Sequence, residues 1–140
     1  MSLTAVWTIL TPEAENSGGE MVVRTSDDVD ALIMALSQPG STAALVQHQD
    51  RPTVYDEDLG DIPDHDVTIG IWRGFGYLSF ADLEHEFMYS DGESDSPSFA
   101  GHYTEYPAGS GVNLATLRAA LVEFLETAQR PTNIHWKEDS

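Results

Sequence analysis

The sequence contains no cysteine, which excludes disulfides, thiolate zinc sites, Fe–S clusters and a cysteine nucleophile. Positive charge is almost as scarce. Six Lys and Arg stand against 24 Asp and Glu, a formal net charge of −18 over 140 residues. The six cations (Arg24, Arg51, Arg73, Arg118, Arg130 and Lys137) are scattered singly. Nucleic acid and anionic lipid are both recognised through clustered Lys and Arg, so direct binding to either is not expected. Apolar runs extend only a few residues, far short of a membrane span. The first seven residues carry no basic segment, so no signal peptide is expected and the chain reads as cytoplasmic.

What is present argues for folding. The chain is 41% hydrophobic and holds 3 Trp, 5 Tyr and 5 Phe, too apolar and aromatic for wholesale disorder. Its length suits one domain over residues 1–140, in which roughly 68–70% of the unfolded surface is buried.

Residues 5–10 are rich in β-formers and read as a first strand. Turn chemistry over residues 11–19 leads to a hairpin partner at 20–24. Thr25, Ser26, Asp27 and Asp28 supply cap hydroxyls and first-turn acids ahead of Val29, Leu32, Ile33 and Leu36, an apolar stripe at helical spacing. Pro39 and Gly40 stop that helix. Residues 43–48 read as a strand, and the proline- and acid-bearing stretch 50–66 as a long loop. Val67, Ile69 and Ile71 alternate with Thr68, Gly70 and Trp72, the period of a half-buried strand, and residues 73–76 turn into a hairpin arm at 77–80. Residues 86–90 form another strand candidate, 91–97 a flexible acidic loop, and 99–106 a weaker strand. Asn113 is an N-cap, with Val112 placed to pack on Leu117 as a hydrophobic staple. Leu114, Leu117, Leu121, Phe124, Leu125 and Ala128 form the second buried stripe, ended by Arg130 and Pro131, and residues 133–137 close with a strand. This order implies an α+β fold, with two amphipathic helices packed on a mostly antiparallel twisted sheet.

Little here supports catalysis or metal binding. The five histidines, His48, His65, His85, His102 and His135, lie at no standard metal-ligand spacing. A strand pleat would send His85 to the face opposite Glu84 and Glu86. The acids at 91–95 and 56–58 fit no twelve-residue calcium loop. Gly109, Ser110 and Gly111 lack the strand and spacing of a nucleophile elbow, and Gly74 and Gly76 lack the helix and lysine of a phosphate cradle. Acids are so abundant that no one pair points to acid–base chemistry. No catalytic residue, cofactor or metal ligand is assigned. Trp7, Trp72 and Trp136 lie near expected strand ends, where an indole packs while its N–H finds a partner.

The carboxy-terminal stretch carries a pattern: Ala120, Phe124, Leu125 and Thr127 on a helix, the break Arg130-Pro131, then Ile134 and Trp136. It resembles the ending of bacterial immunity protein family one, antitoxins found beside deaminase-type polymorphic toxins. The layout of the earlier chain is similar to that family as well. Ala128 departs from the pattern, which usually has glycine there; glycine would permit a left-handed cap, and alanine implies a helix that runs on or ends differently. These motif residues are scaffold, folding the last helix onto the sheet and pinning the closing strand.

The resemblance implies an inhibitor of a zinc-dependent nucleic-acid deaminase, whose substrate cleft would be basic; nothing in the sequence indicates homo-oligomers, so a monomer is expected when the chain is alone. The expected contacts are Asp56, Glu57, Asp58, Asp61 and Asp64 in one loop and Asp91, Glu93 and Asp95 in another, with Tyr55 and Tyr89 as apolar anchors. One rival is an acidic, calcium-responsive interaction module without a toxin partner. Another is a hydrolase with paired acids, which requires one carboxyl of raised pKa.

Overall fold

The computed structural model describes residues 1–10, 17–102 and 104–138; of the expected turn at 11–19, residues 11–16 lie outside them and 17–19 belong instead to strand pairing. Strand β1 (Leu3–Ile9) lies between β2 (Ser17–Val23) and β3 (Ala44–His48). Next come β6 (His65–Trp72), β7 (Phe75–Asp82), β8 (Met88–Asp91) and, at the far edge, β12 (His135–Lys137). All these pairs are antiparallel, and β11 (Val112–Asn113) adds to β7. Two short ladders stand apart from this sheet: β4 (Thr53–Asp56) with β5 (Gly60–Pro63), and β9 (Phe99–Ala100) with β10 (Glu105–Tyr106).

Helix α1 (Ser26–Leu36) starts at Thr25, whose hydroxyl accepts the Asp28 N–H while the Asp28 carboxylate accepts the Thr25 N–H. This reciprocal capping box satisfies donors the helix cannot. Helix α2 (Leu114–Thr127) starts at Asn113, whose side-chain oxygen accepts the Thr116 N–H at 2.8 Å. Val29, Leu32 and Leu36 of α1 share one core with Leu117, Leu121, Phe124 and Leu125 of α2, and with Leu3, Val46, Ile69 and Phe80 of the sheet.

The opposite face of the sheet is unlike a half-solvated antiparallel sheet. Thr68, Gly70, Tyr77 and Ser79 are buried there too, so the alternation in β6 reflects two buried faces of different polarity. Their cover is the return segment 92–111. Phe99 and Tyr106 stack 5.7 Å apart, Phe99 lies over Gly70, and Thr68 Oγ1 is within 2.6 Å of the Tyr106 hydroxyl. Burial pushes that hydroxyl's pKa up. Trp72 stacks on Phe99 from the strand end.

Three expectations change. The acidic stretch 50–66 is a hairpin, because Val54 and Ile62 give each arm an apolar residue facing its partner across the ladder. Segment 91–97 is tied down: Ser96 is buried, its hydroxyl accepts the Gly111 N–H, and the Glu93 N–H donates to Gly111 O at 2.7 Å. Trp7 sits within β1 over Gly19, and its buried indole N–H has no partner among the described residues.

Ala128 itself takes the left-handed cap that glycine would have taken, with φ 59° and ψ 15°. An L side chain in that region costs roughly 1–2 kcal/mol. Ala128→Gly should therefore stabilise the protein by about 1 kcal/mol and raise Tm by roughly 2–4 °C, read by thermal unfolding.

Candidate functional site

The hairpin β4–β5 projects from the sheet between the end of β3 and the start of β6. Its tip is built locally. Asp56 Oδ1 accepts the N–H groups of Asp58 and Leu59 at 2.8 and 3.0 Å, and Gly60 supplies the positive φ that closes the turn. Asp56 is therefore committed to holding the tip, while Glu57, Asp58 and Asp61 face solvent. Tyr55 lies opposite Asp61 and is 75% exposed, and Leu59 at the turn is 74% exposed.

The base of the hairpin is clamped by Arg51. Its guanidinium donates from Nε and Nη2 to the two oxygens of Asp64, at 2.9 and 3.1 Å. Nη1 donates to Asp82 Oδ2 at 3.2 Å and to the Ala128 carbonyl at 3.1 Å. All three charged side chains are at most 10% exposed. Asp64 thus leaves the expected contact set, because its carboxylate is spent inside the fold. The Arg51 hydrogen bonds, aided by His65, hold the Asp64 carboxyl below the usual carboxylate range. Burial opposes the same shift at Asp82, but hydrogen bonds from His85 and the Glu84 N–H prevail, so Asp82 is lowered as well.

A histidine relay extends the clamp. The His48 N–H donates to His65 Nε2 at 2.9 Å, so the proton of His65 sits on Nδ1 and points at Asp64, also 2.9 Å away. Burial lowers the His65 pKa more than Asp64 raises it. His48 Nε2 meets the Leu125 carbonyl at 2.9 Å, joining β3 to α2. His85 lies in the turn after β7, bonded to Asp82, and not on a strand between Glu84 and Glu86.

The second acidic group is not contiguous with the first. β8 runs antiparallel to β7, with Ser79 opposite Tyr89, and Asp82 is at the hairpin end of β7. Asp91, Glu93 and Asp95 therefore lie toward the other end of the strands. They are exposed, with Lys137 Nζ 3.9 Å from Asp91. Tyr89 is buried among Phe87 and Tyr106, its ring facing the return segment, so it cannot serve as an exposed anchor. Beside it is a cleft of about 560 Å³ whose lining includes Glu105 as its one carboxylate. Among the described residues no three His, Asp or Glu side chains gather to hold a metal ion.

Against known families, the immunity protein Imm1 model matches residues 17–138. The chain belongs to the Imm1 family. An immunity protein has a cognate toxin as its partner, and this chain's role is accordingly that of an antitoxin. No curated protein sequence matches it. Among solved structures it is similar to a hypothetical protein from Neisseria gonorrhoeae, with a TM-score of 0.51 and 10% identity, covering 96% of this chain and 93% of that one. That likeness concerns the fold alone.

In this Imm1 chain the carboxy-terminal motif is structural. Ala120, Phe124 and Leu125 are buried under the sheet, with Phe124 edge-on to Phe80 at 5.8 Å. The Trp136 indole N–H donates to the Pro131 carbonyl at 3.0 Å, and the Arg130 guanidinium lies 5.6 Å from the Trp136 ring. The clamp went unread in the sequence, yet a signal existed: Arg51 is the sole cation in an otherwise acidic stretch.

Removing Arg51 strands two nearly buried carboxylates. Arg51→Ala should cost about 3 kcal/mol in chemical denaturation, whereas breaking the solvent-exposed Arg118–Asp30 pair with Arg118→Ala should leave stability nearly unchanged. The clamp also sets the acid response. Because the folded pKa of His65 is depressed, the unfolded chain binds more protons as pH falls through about 6.5. Stability is full above that pH and declines below it, then declines further below about 4 as Asp64 and Asp82 resist protonation. His65→Gln, which keeps an acceptor for the His48 N–H, should flatten the decline between pH 7.5 and 5.5 in denaturant midpoints.

Proposed function

We propose that this Imm1 protein inhibits a nucleic-acid deaminase toxin by occupying its basic substrate cleft with the acidic hairpin. The role is binding, not catalysis, and needs no cofactor. The observation that carries the reading is the clamped hairpin itself, tied at its root by Arg51 and bearing exposed Glu57, Asp58 and Asp61 with Tyr55 and Leu59 exposed among them. Carboxylates at such spacing stand in for the phosphates of a substrate strand, and exposed apolar side chains anchor what charge attracts. Asp91, Glu93 and Asp95, toward the other end of the strands, are assigned to steering the approach. A hydrolase of paired acids would want a carboxyl raised in pKa, and the two interior ones, Asp64 and Asp82, are both lowered.

The test is deamination of cytosine in single-stranded substrate by the toxin domain encoded beside this gene, with the protein added in increasing amounts. Activity should vanish at one equivalent; full activity in the presence of a stable complex would sink inhibition at the substrate cleft, and a toxin domain that deaminates nothing would sink the deaminase assignment. Neutralising Glu57, Asp58 and Asp61 to Gln and Asn should slow association and flatten its dependence on salt, measured by stopped-flow or surface binding.

A further inference from the structure

We infer that the uncovered half of the sheet, beside the acidic hairpin, is the face on which the cognate toxin docks. The inference rests on the toxin-binding role proposed above and adds a surface that charge alone does not point to.

The return segment covers the second face over β6, β7 and β8 and reaches Ala43, whose N–H donates to Gly101 O at 2.9 Å just ahead of β3; among the described residues it leaves Leu45, Val6 and Val22 exposed. Alternation sends Val46, Ala5 and Val23 into the core, which turns Leu45, Val6 and Val22 outward. All three are large apolar side chains 38–45% exposed. Register brings them together. Leu45 is the direct partner of Val6, and Val22 is the partner of Thr4, two residues along the same face of β1. The strip continues into a hollow of about 290 Å³ where Leu45 meets Ile62 and Pro63 at the root of the hairpin.

The rim is acidic. Glu20 sits across from Val6, Asp66 follows His65 on the exposed side of β6, and Asp61 leads into Ile62. An apolar centre within a charged rim is the anatomy of a protein interface. The charge chooses the occupant. A second copy of this chain would set Glu20 and Asp66 against their own kind in a molecule already at −18. A partner with a basic rim around an apolar patch satisfies both features, and the hairpin would reach over its edge while the strip takes its body.

The decisive experiment measures binding of the purified toxin domain encoded beside this gene to Val6→Thr, Leu45→Thr, Leu45→Lys and a distant control, Met34→Lys. Met34 is exposed on α1, on the other side of the sheet. Threonine keeps strand propensity, and unchanged Tm would certify the fold. Leu45→Lys should raise Kd at least about tenfold and the threonine variants several-fold, with Met34→Lys within about twofold of the parent. Parent-like Kd for Leu45→Lys and Val6→Thr would overturn the inference, as would no binding by the parent. A self-dimer of the free protein that Leu45→Lys disperses would overturn it too, by assigning the face to a second copy. The readout is binding, so the two readings fail separately. A toxin that binds through Leu45 but does not deaminate rejects only the deaminase reading. Deaminase inhibition that survives Leu45→Lys and Val6→Thr rejects only the docking face.

Discussion

One guanidinium carries more of this structure than any other polar group. Arg51 takes both oxygens of Asp64, one of Asp82 and the carbonyl of Ala128, so a single charge joins the hairpin root, the entry of β6, the exit of β7 and the end of α2. In a chain with four acids for every base, interior carboxylates have few cations to choose from. Unpaired, Asp64 and Asp82 would repel each other and suffer desolvation; paired, they turn the projecting hairpin into a fixed part of the molecule. The histidine relay behind them leans on the same carboxylate, since the Nδ1 proton of His65, placed there by the His48 N–H at Nε2, points at Asp64.

The sheet has two kinds of second face. Over β6–β8 it is sealed by stacked aromatics and a buried hydroxyl cluster of Thr68, Ser79 and Tyr106. Over β3, β1 and β2, among the described residues, it exposes Leu45, Val6 and Val22 beside Thr4, Gln47 and Glu20. The boundary falls between Leu45 and its partner Thr68, where the Tyr106 ring ends. A short return segment can cover three strands and no more, and what it leaves open adjoins the acidic hairpin.

The parts legible in the sequence were those set by local rules. Both helices were readable because their caps, Thr25 with Asp28 and Asn113, precede stripes of helical period. The β6–β7 hairpin was readable from the glycines of 73–76 between two β-rich runs, and Gly74 does take the positive φ of its tight turn, with Arg73 beside it. The acidic hairpin was missed because its arms are only four residues each and charge hides their alternation. Burial of Thr68 and Ser79 was missed because their cover comes from a segment about 30 residues away, which no periodicity reports. Ala128 misled for a different reason: beside the local helical bond from its N–H to Phe124 O, its strained cap is held by a tertiary bond, Arg51 donating to its carbonyl. Among candidate contact residues, type and charge were visible in the sequence, but whether a carboxylate faced out (Asp61) or in (Asp64) depended on the clamp.

The clamp also divides the hairpin into two classes of position with different freedom to change. Arg51 and Asp64 hold charge inside the fold, so exchanging either disturbs the whole molecule, and Asp56 holds the turn at the tip. The side chains of Glu57, Asp58, Leu59 and Tyr55 are exposed, and substitutions at such sites usually shift stability by less than about 0.5 kcal/mol. The tip can therefore be rewritten residue by residue on a frame that never has to refold.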